Sequence, residues 1–221
     1  MITTPDLISL LAANATPVRR LRPPLTRAAI WLVFAACILG LLAVGQGVRS
    51  DIAERMEQPV FVIAIASSML TGVLAAIASF MASLPDRSRL WSLLPVPALG
   101  VWMSTIGYGC LTNWVSIGPN GVLLGETARC FATLVLTSVP LSLAMVVMLR
   151  YAALLRPTDV IITGSLAVAA ITATALSLFH SLDATIMILI WNLGTAVLIV
   201  GLGRMFGQRM FAWVAPRSLL H

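Results

Sequence analysis

The sequence predicts an all-α protein, a polytopic bundle of six transmembrane helices preceded by a short cytoplasmic amphipathic helix. Of the 221 residues, 59% are hydrophobic and 10% are charged, and the mean hydropathy is +0.99. This composition lies outside the range of soluble domains. A membrane-spanning helix needs about 20 consecutive, mostly apolar residues. Six stretches meet this requirement: 28–48, 60–83, 91–111, 130–149, 160–179 and 184–203.

The segment before the first span, residues 1–27, is predicted to be a cytoplasmic arm that begins with the amphipathic helix. Four aliphatic residues form the apolar stripe of that helix: Leu7, Ile8, Leu10 and Leu11. A helix of about ten residues is not stable in water by itself, so the stripe needs lipid or a partner protein to lie on. Four arginines follow in the arm, Arg19, Arg20, Arg22 and Arg27, and the first three are candidate binding residues. They help to orient the first span. Orientation requires only their charge, so the apolar stripe and the neighbouring prolines favour a partner-binding arm.

The distribution of basic residues predicts the orientation in the membrane. All 14 are arginine, and the formal net charge is +6. Alternating spans place eleven of them on the side of the N-terminus, including Arg87 and Arg89 in the second loop, and only three on the opposite side. By the positive-inside rule, the arm and the tail at 204–221 are both cytoplasmic. Topology therefore explains the basic charge better than nucleic-acid binding does.

Small residues recur every four positions in the second span: Ala64, Ser68, Gly72 and Ala76. In a bilayer such a stripe is a face on which another helix packs closely. Packing inside the same bundle is the favoured interpretation, and a homodimer interface is the alternative. Pro95 and Pro97 in the third span and Pro140 in the fourth are expected to bend their helices.

The sequence carries no motif of catalysis or of ion-coupled transport. All eight acidic residues fall in the arm or in loops, and Asn192 is the most polar residue within the spans. This argues against an ion-coupled transporter, which needs ionisable groups at membrane depth. No P-loop, nucleophile elbow, metalloprotease motif or C-x-x-C is present. We therefore expect neither enzymatic activity nor a cofactor, with a small transporter or channel as the alternative and a thiol oxidoreductase as a weaker one.

Cys110 ends the third span and Cys130 begins the fourth, so both are predicted near the outer surface. That compartment is oxidising enough for a disulfide, but a bridge requires Cα atoms within about 7 Å. The predicted positions of the two cysteines are compatible with a redox-responsive pair and with two unlinked thiols. His180, in the fifth loop, is a weak metal-ligand candidate together with Asp183 and these cysteines. Simple solvation of its ring at the interface is the favoured interpretation, so no metal is expected.

Several segments form a characteristic series along the whole chain. They are "DLISLLAANATPVRRLRPP" at 6–24, "PDRSRLWSLLP" at 85–95, the region around Cys130, "RYAALLRP" at 150–157 and "WNLG" at 191–194. Together they resemble the NrsF-type family of membrane anti-sigma factors. These are small six-span proteins that hold an extracytoplasmic-function sigma factor at the bacterial inner membrane.

The resemblance implies that this chain binds a sigma factor on its cytoplasmic side and releases it under stress, with paired cysteines in the sensor. Cys130 matches one cysteine of the family. Ser181 stands where the second is expected, and Asn192 stands where a histidine is expected in the last span. Cys110 is then the candidate partner of Cys130.

The predicted sigma-binding element is the arm, whose leucine stripe suits a groove on a helical partner. Its arginines, with Arg87 and Arg89, are expected to pair with acidic residues of that partner. The cytoplasmic loops at 85–89 and 150–159 are expected to assist the arm. Residues 28–203 are the predicted transmembrane domain, and 204–221 form the tail. The expected partners are the sigma factor and the lipid bilayer, with no direct contact to nucleic acid and with homodimerisation left open.

Overall fold

The computed structural model describes residues 4–13, 22–84, 86–112, 124–149 and 157–179. Within these ranges all regular secondary structure is helical, which confirms the all-α class for this part of the chain. The elements are α1 (Thr4–Ala13), α2 (Pro24–Gln46), α3 (Ile52–Met56), α4 (Pro59–Ala82), a 3₁₀ helix (Arg89–Leu93), α5 (Val96–Thr112), α6 (Leu124–Leu149) and α7 (Pro157–Phe179).

Five stretches of the described chain are helical, long enough and apolar enough to cross a membrane. They are Pro24–Gln46, Pro59–Ala82, Arg89–Tyr108, Phe131–Leu149 and Thr158–Phe179. Each coincides with one of the first five predicted spans. The sixth predicted span, 184–203, and the predicted tail lie outside the described residues.

Prolines mark several helix boundaries. α2 begins at Pro24 after the extended Pro23 (φ −51°, ψ 145°), and α4 begins at Pro59. Proline suits the first helical position because the N–H that it lacks would have no intrahelical acceptor there. Pro95 separates the 3₁₀ helix from α5, and Pro97 lies in the first turn of α5. The helical geometry of this span therefore changes from 3₁₀ to α at the two prolines, and the bend expected there stays a prediction.

Apolar side chains cover much of the outer surface of the bundle. Val44 is 88% exposed and Leu41 is 73% exposed on α2, and Leu143 is 61% exposed on α6. Such a surface is unfavourable in water, whereas hydrocarbon accepts it provided that the backbone is hydrogen-bonded within helices. The described part of the chain therefore has the surface of a membrane protein.

The helix α7 lies at the centre of the described bundle. In its most apolar stretch 67% of the residues are buried, against 33% or less in the other four candidate spans. Its residues Ala167 and Ile171 join one core with Trp31 of α2, Phe80 of α4 and Leu141 of α6. The position of α7 thus depends on three neighbours at once.

The small-residue stripe of α4 packs on α7. Ser68 Oγ and Thr174 Oγ1 lie 2.9 Å apart in a buried hydrogen bond. A Cβ atom built on Gly72 would lie only 2.8 Å from Ile171 Cδ1. The stripe therefore serves packing inside the bundle, the interpretation that the sequence favoured.

Candidate partner-binding surface

One end of the bundle carries exposed arginines beside the start of α2 and the end of α4. Arg22 lies just before α2, while Arg87 and Arg89 follow α4, and all three are exposed. In the first turn of α2, the guanidinium carbon of Arg27 lies 5.2 Å from the centre of the Phe80 ring near the end of α4. This contact brings the two helix ends together, so three of the predicted site arginines share one end of the bundle.

The segment between α4 and α5 presents apolar side chains next to these arginines. The 3₁₀ helix begins after Ser88, whose Oγ accepts a hydrogen bond from the backbone N–H of Leu90 at 3.2 Å. Ser92 Oγ donates to the Arg89 carbonyl at 2.6 Å, inside the same helix. Leu90 is 72% exposed and Leu93 is 57% exposed. Residues three apart eclipse each other in a 3₁₀ helix, so the two leucines lie on one face.

Sequence reasoning did not single out Leu90 and Leu93, because Leu93 fell inside the predicted third span at 91–111 and Leu90 lay at its boundary. A leucine pair spaced by three residues and following two arginines was the available signal. The exposed surface at this end therefore combines positive charge with apolar groups, a combination that suits a protein partner with acidic and apolar patches.

The arm contributes α1, in which Ser9 Oγ donates to the Asp6 carbonyl at 2.9 Å. Leu10, one residue of the predicted stripe, is 55% exposed. The side chains of Leu7, Ile8 and Leu11 lie outside the described residues. Arg19 and Arg20 also fall outside them. The binding role of the arm therefore stays a prediction.

Arg27 differs from the other arm arginines because it belongs to the bundle. It is 6% exposed, and its guanidinium donates a hydrogen bond to the Met148 carbonyl. Met148 lies in the last turn of α6, where carbonyls have no intrahelical donor. A cation at a helix C-terminus also interacts favourably with the helix dipole. Arg27 therefore caps α6.

At the opposite end of the bundle, Arg49 caps α7. Its backbone N–H donates to the Leu178 carbonyl at 3.2 Å, and its guanidinium donates to the Ser177 carbonyl at 3.5 Å. The same guanidinium donates to both carboxylate oxygens of Asp51 at 2.6 Å and lies 5.8 Å from the centre of the Phe61 ring. The hydrogen bond from Arg49 is the main reason that the pKa of Asp51 falls from 3.8 to about 2.

The two ends differ in charge over the described residues. The end with Arg27 carries four arginines and two acids: Arg22, Arg27, Arg87, Arg89, Asp86 and Asp159. The end with Arg49 carries three arginines and four acids: Arg49, Arg55, Arg129, Asp51, Glu54, Glu57 and Glu126. By the positive-inside rule, the larger number of arginines at the end with Arg27 favours a cytoplasmic location for that end.

The predicted redox residues lie in two consecutive helices of the described chain. Cys110 belongs to the last turn of α5, and Cys130 belongs to α6. Their side chains, like residue His180, lie outside what the structure describes, so their pairing stays a prediction. Within the described ranges, no group of three or more histidine, cysteine or acidic side chains is arranged to hold a metal ion.

These features define a class, a small polytopic helical membrane protein with a basic and partly apolar surface at one end. The chain matches, over residues 11–213, the family model described as NrsF, negative regulator of sigma F. The match covers most of the chain, and the protein therefore belongs to the NrsF family. The resemblance found in the sequence is confirmed.

The family description makes its members negative regulators of a sigma factor. Membership of this family thus indicates a sigma factor as the partner and a regulatory role for the protein. Comparisons with curated proteins and with solved structures give no match to the chain.

Proposed function

We propose that the chain is an anti-sigma factor that sequesters an extracytoplasmic-function sigma factor at the bacterial inner membrane and releases it on stress. The observation that carries this proposal is the family match over residues 11–213. The exposed arginines and leucines at one end of the bundle support it, because a tethered partner needs a polar surface outside the membrane. Holding the sigma factor at the membrane keeps it away from promoter DNA.

The proposed topology has both termini in the cytoplasm. The transmembrane domain would cover residues 28–203, between the arm at 1–27 and the tail at 204–221. The charge difference between the two ends supports this orientation. A bilayer would cover the exposed apolar side chains of the spans.

The arm is the principal binding element in this proposal. Its apolar residues would lie in a groove of the helical partner: Leu7, Ile8, Leu10 and Leu11. Five arginines would pair with acidic residues of the sigma factor: Arg19, Arg20, Arg22, Arg87 and Arg89. Exposed charge pairs of this kind contribute more to the rate of encounter and to specificity than to affinity, so the apolar stripe is expected to supply most of the binding free energy.

Cys110 and Cys130 are the proposed stress sensor. A peroxide would oxidise the two thiols to a disulfide, taking up two electrons and two protons as water forms. The new bond would join the end of α5 to α6. Any homodimer would need a face other than the small-residue stripe of α4, because α7 occupies that stripe.

The binding surface is tested by point variants and by measuring the affinity of the detergent-solubilised chain for purified sigma factors. Leu10→Glu is expected to weaken binding about tenfold, which corresponds to about 1.4 kcal/mol. The matched control is Ser9→Glu, which places the same charge on the opposite face of α1. Equal affinities for the two variants would contradict the assignment of the stripe.

The arginines are tested in the same assay by the double variant Arg87→Glu and Arg89→Glu. We expect slower association, with the largest difference from wild type at low salt because exposed charges are screened at high salt. Arg55→Glu, at the other end of the bundle, is the control. Association rates that stay at the wild-type value in the double variant would remove this loop from the binding surface.

A further inference from the structure

We propose that Arg27 and Trp31 form a clasp between α2 and α6 that fixes the point at which the arm leaves the bundle. In this proposal Arg27 is a positioning residue for sigma-factor binding, although it does not contact the partner. The inference rests on the proposed function, which it extends from the binding residues to their support.

The first contact of the clasp is made by Arg27. Its guanidinium donates to the Met148 carbonyl of α6 and lies over the Phe80 ring of α4. A buried guanidinium is costly unless it is hydrogen-bonded, and a cation over an aromatic face gains further attraction. Moving Arg27 would therefore break contacts with two helices at once.

The second contact is made by Trp31, one helical turn further along α2. Trp31 is fully buried, and its Nε1–H donates to the Leu141 carbonyl at 3.1 Å. Residues four apart lie on the same face of a helix, so Arg27 and Trp31 both face α6. Leu141 follows Pro140, which means that both bonds hold the part of α6 after the proline.

The connection from this clasp to the arm is rigid where it enters the bundle. The backbone N–H of Arg27 donates to the Pro23 carbonyl at 3.2 Å. Thr26 Oγ1 donates to the same carbonyl at 2.7 Å. Pro23 and Pro24 have φ angles fixed by their rings. A change in the position of Arg27 is thus passed to the backbone at Pro23, and from there to the part of the arm that ends at Arg22.

The clasp is tested with the full-length protein in detergent by measuring both sigma-factor affinity and melting temperature. Arg27→Gln removes the positive charge and is expected to weaken binding about tenfold. Arg55→Gln removes an arginine at the opposite end and should leave the affinity at the wild-type value.

A second variant separates positioning from bundle stability. Two glycines inserted between Arg22 and Pro23 leave the clasp intact but release the arm from it. This insertion should weaken binding as Arg27→Gln does, with no change in melting temperature. Adding Arg27→Gln to the insertion should then cause no further loss of affinity.

Two results would overturn the clasp while leaving the proposed function standing. One is a folded Arg27→Gln variant that binds the sigma factor as wild type does. The other is an insertion variant with wild-type affinity, because an arm that works without a fixed origin needs no positioning residue. If the wild-type chain binds no sigma factor, the proposed function itself fails.

Discussion

Replacing Gly72 with alanine is expected to destabilise the bundle through its contact with α7. The new Cβ would lie 2.8 Å from Ile171 Cδ1 and 2.9 Å from Ile171 Cγ1, whereas carbon atoms in good contact are about 3.5–4.0 Å apart. Rotation about χ2 moves only Cδ1. Relieving the Cγ1 contact requires a change in χ1, which is strongly restricted for isoleucine in a helix. Ile171 is also buried, so we expect a cost of about 1–3 kcal/mol, as for other overpacked cores.

The assay for this variant is reversible unfolding of the detergent-solubilised protein by titration with SDS. Gly40→Ala and Gly100→Ala are the controls, since a Cβ at either position has nothing within 4 Å. They also correct for the higher helix propensity of alanine. In an Ile171→Ala background, Gly72→Ala should lose its effect, because Cγ1 and Cδ1 are absent. A free energy of unfolding equal to that of the two controls would refute the described packing of α4 on α7.

Two further predictions concern Asp51 and the predicted cysteine pair. The pKa of Asp51 falls below its ordinary value, chiefly through the hydrogen bond from Arg49, so its stabilisation is complete above about pH 4 and is lost as the pH falls towards 2. The melting temperature of the wild type should therefore drop between pH 4 and 2 more steeply than that of Asp51→Asn, and parallel curves would exclude this ion pair as the cause. Peroxide treatment should protect Cys110 and Cys130 together from thiol labelling, and each cysteine should remain labelled when the other is replaced by serine. Labelling that peroxide does not change would remove this pair as the sensor.

Hydropathy was enough to predict the five spans that the structure describes. A lipid-facing helix must be apolar around most of its surface, so a simple run of apolar residues identifies it without knowledge of its neighbours. The repeat of small residues through Ser68 and Gly72 also gave the correct packing face. These features depend on local sequence, which explains why they could be predicted.

The roles of Arg27 and Arg49 could not be predicted in the same way. By sequence position Arg27 belongs with the exposed arginines of the arm, but its acceptor, the Met148 carbonyl, lies 121 positions further along. Arg49 likewise contacts the carbonyl of Ser177, 128 positions away. Burial of these two side chains follows from the arrangement of helices, which the local pattern of charge does not contain.

The candidate surface likewise has one feature that the sequence predicts and one that depends on the structure. The basic charge at one end follows from counting arginines along the chain. The exposed Leu90 and Leu93 depend on a 3₁₀ helix, whose period of three places both side chains on one face. Hydropathy placed Leu93 in the predicted third span and left Leu90 at its boundary, because hydropathy does not reveal the period of a 3₁₀ helix.

Retention of a sigma factor by the arm is the central claim, and co-purification tests it most directly. The intact chain and a variant lacking residues 1–16 are extracted from membranes with detergent and assayed for bound sigma factor. We predict that the intact chain retains an extracytoplasmic-function sigma factor and that the shortened chain, still inserted in the membrane, releases it. Equal retention by both chains, or no retention by the intact chain, would contradict the account.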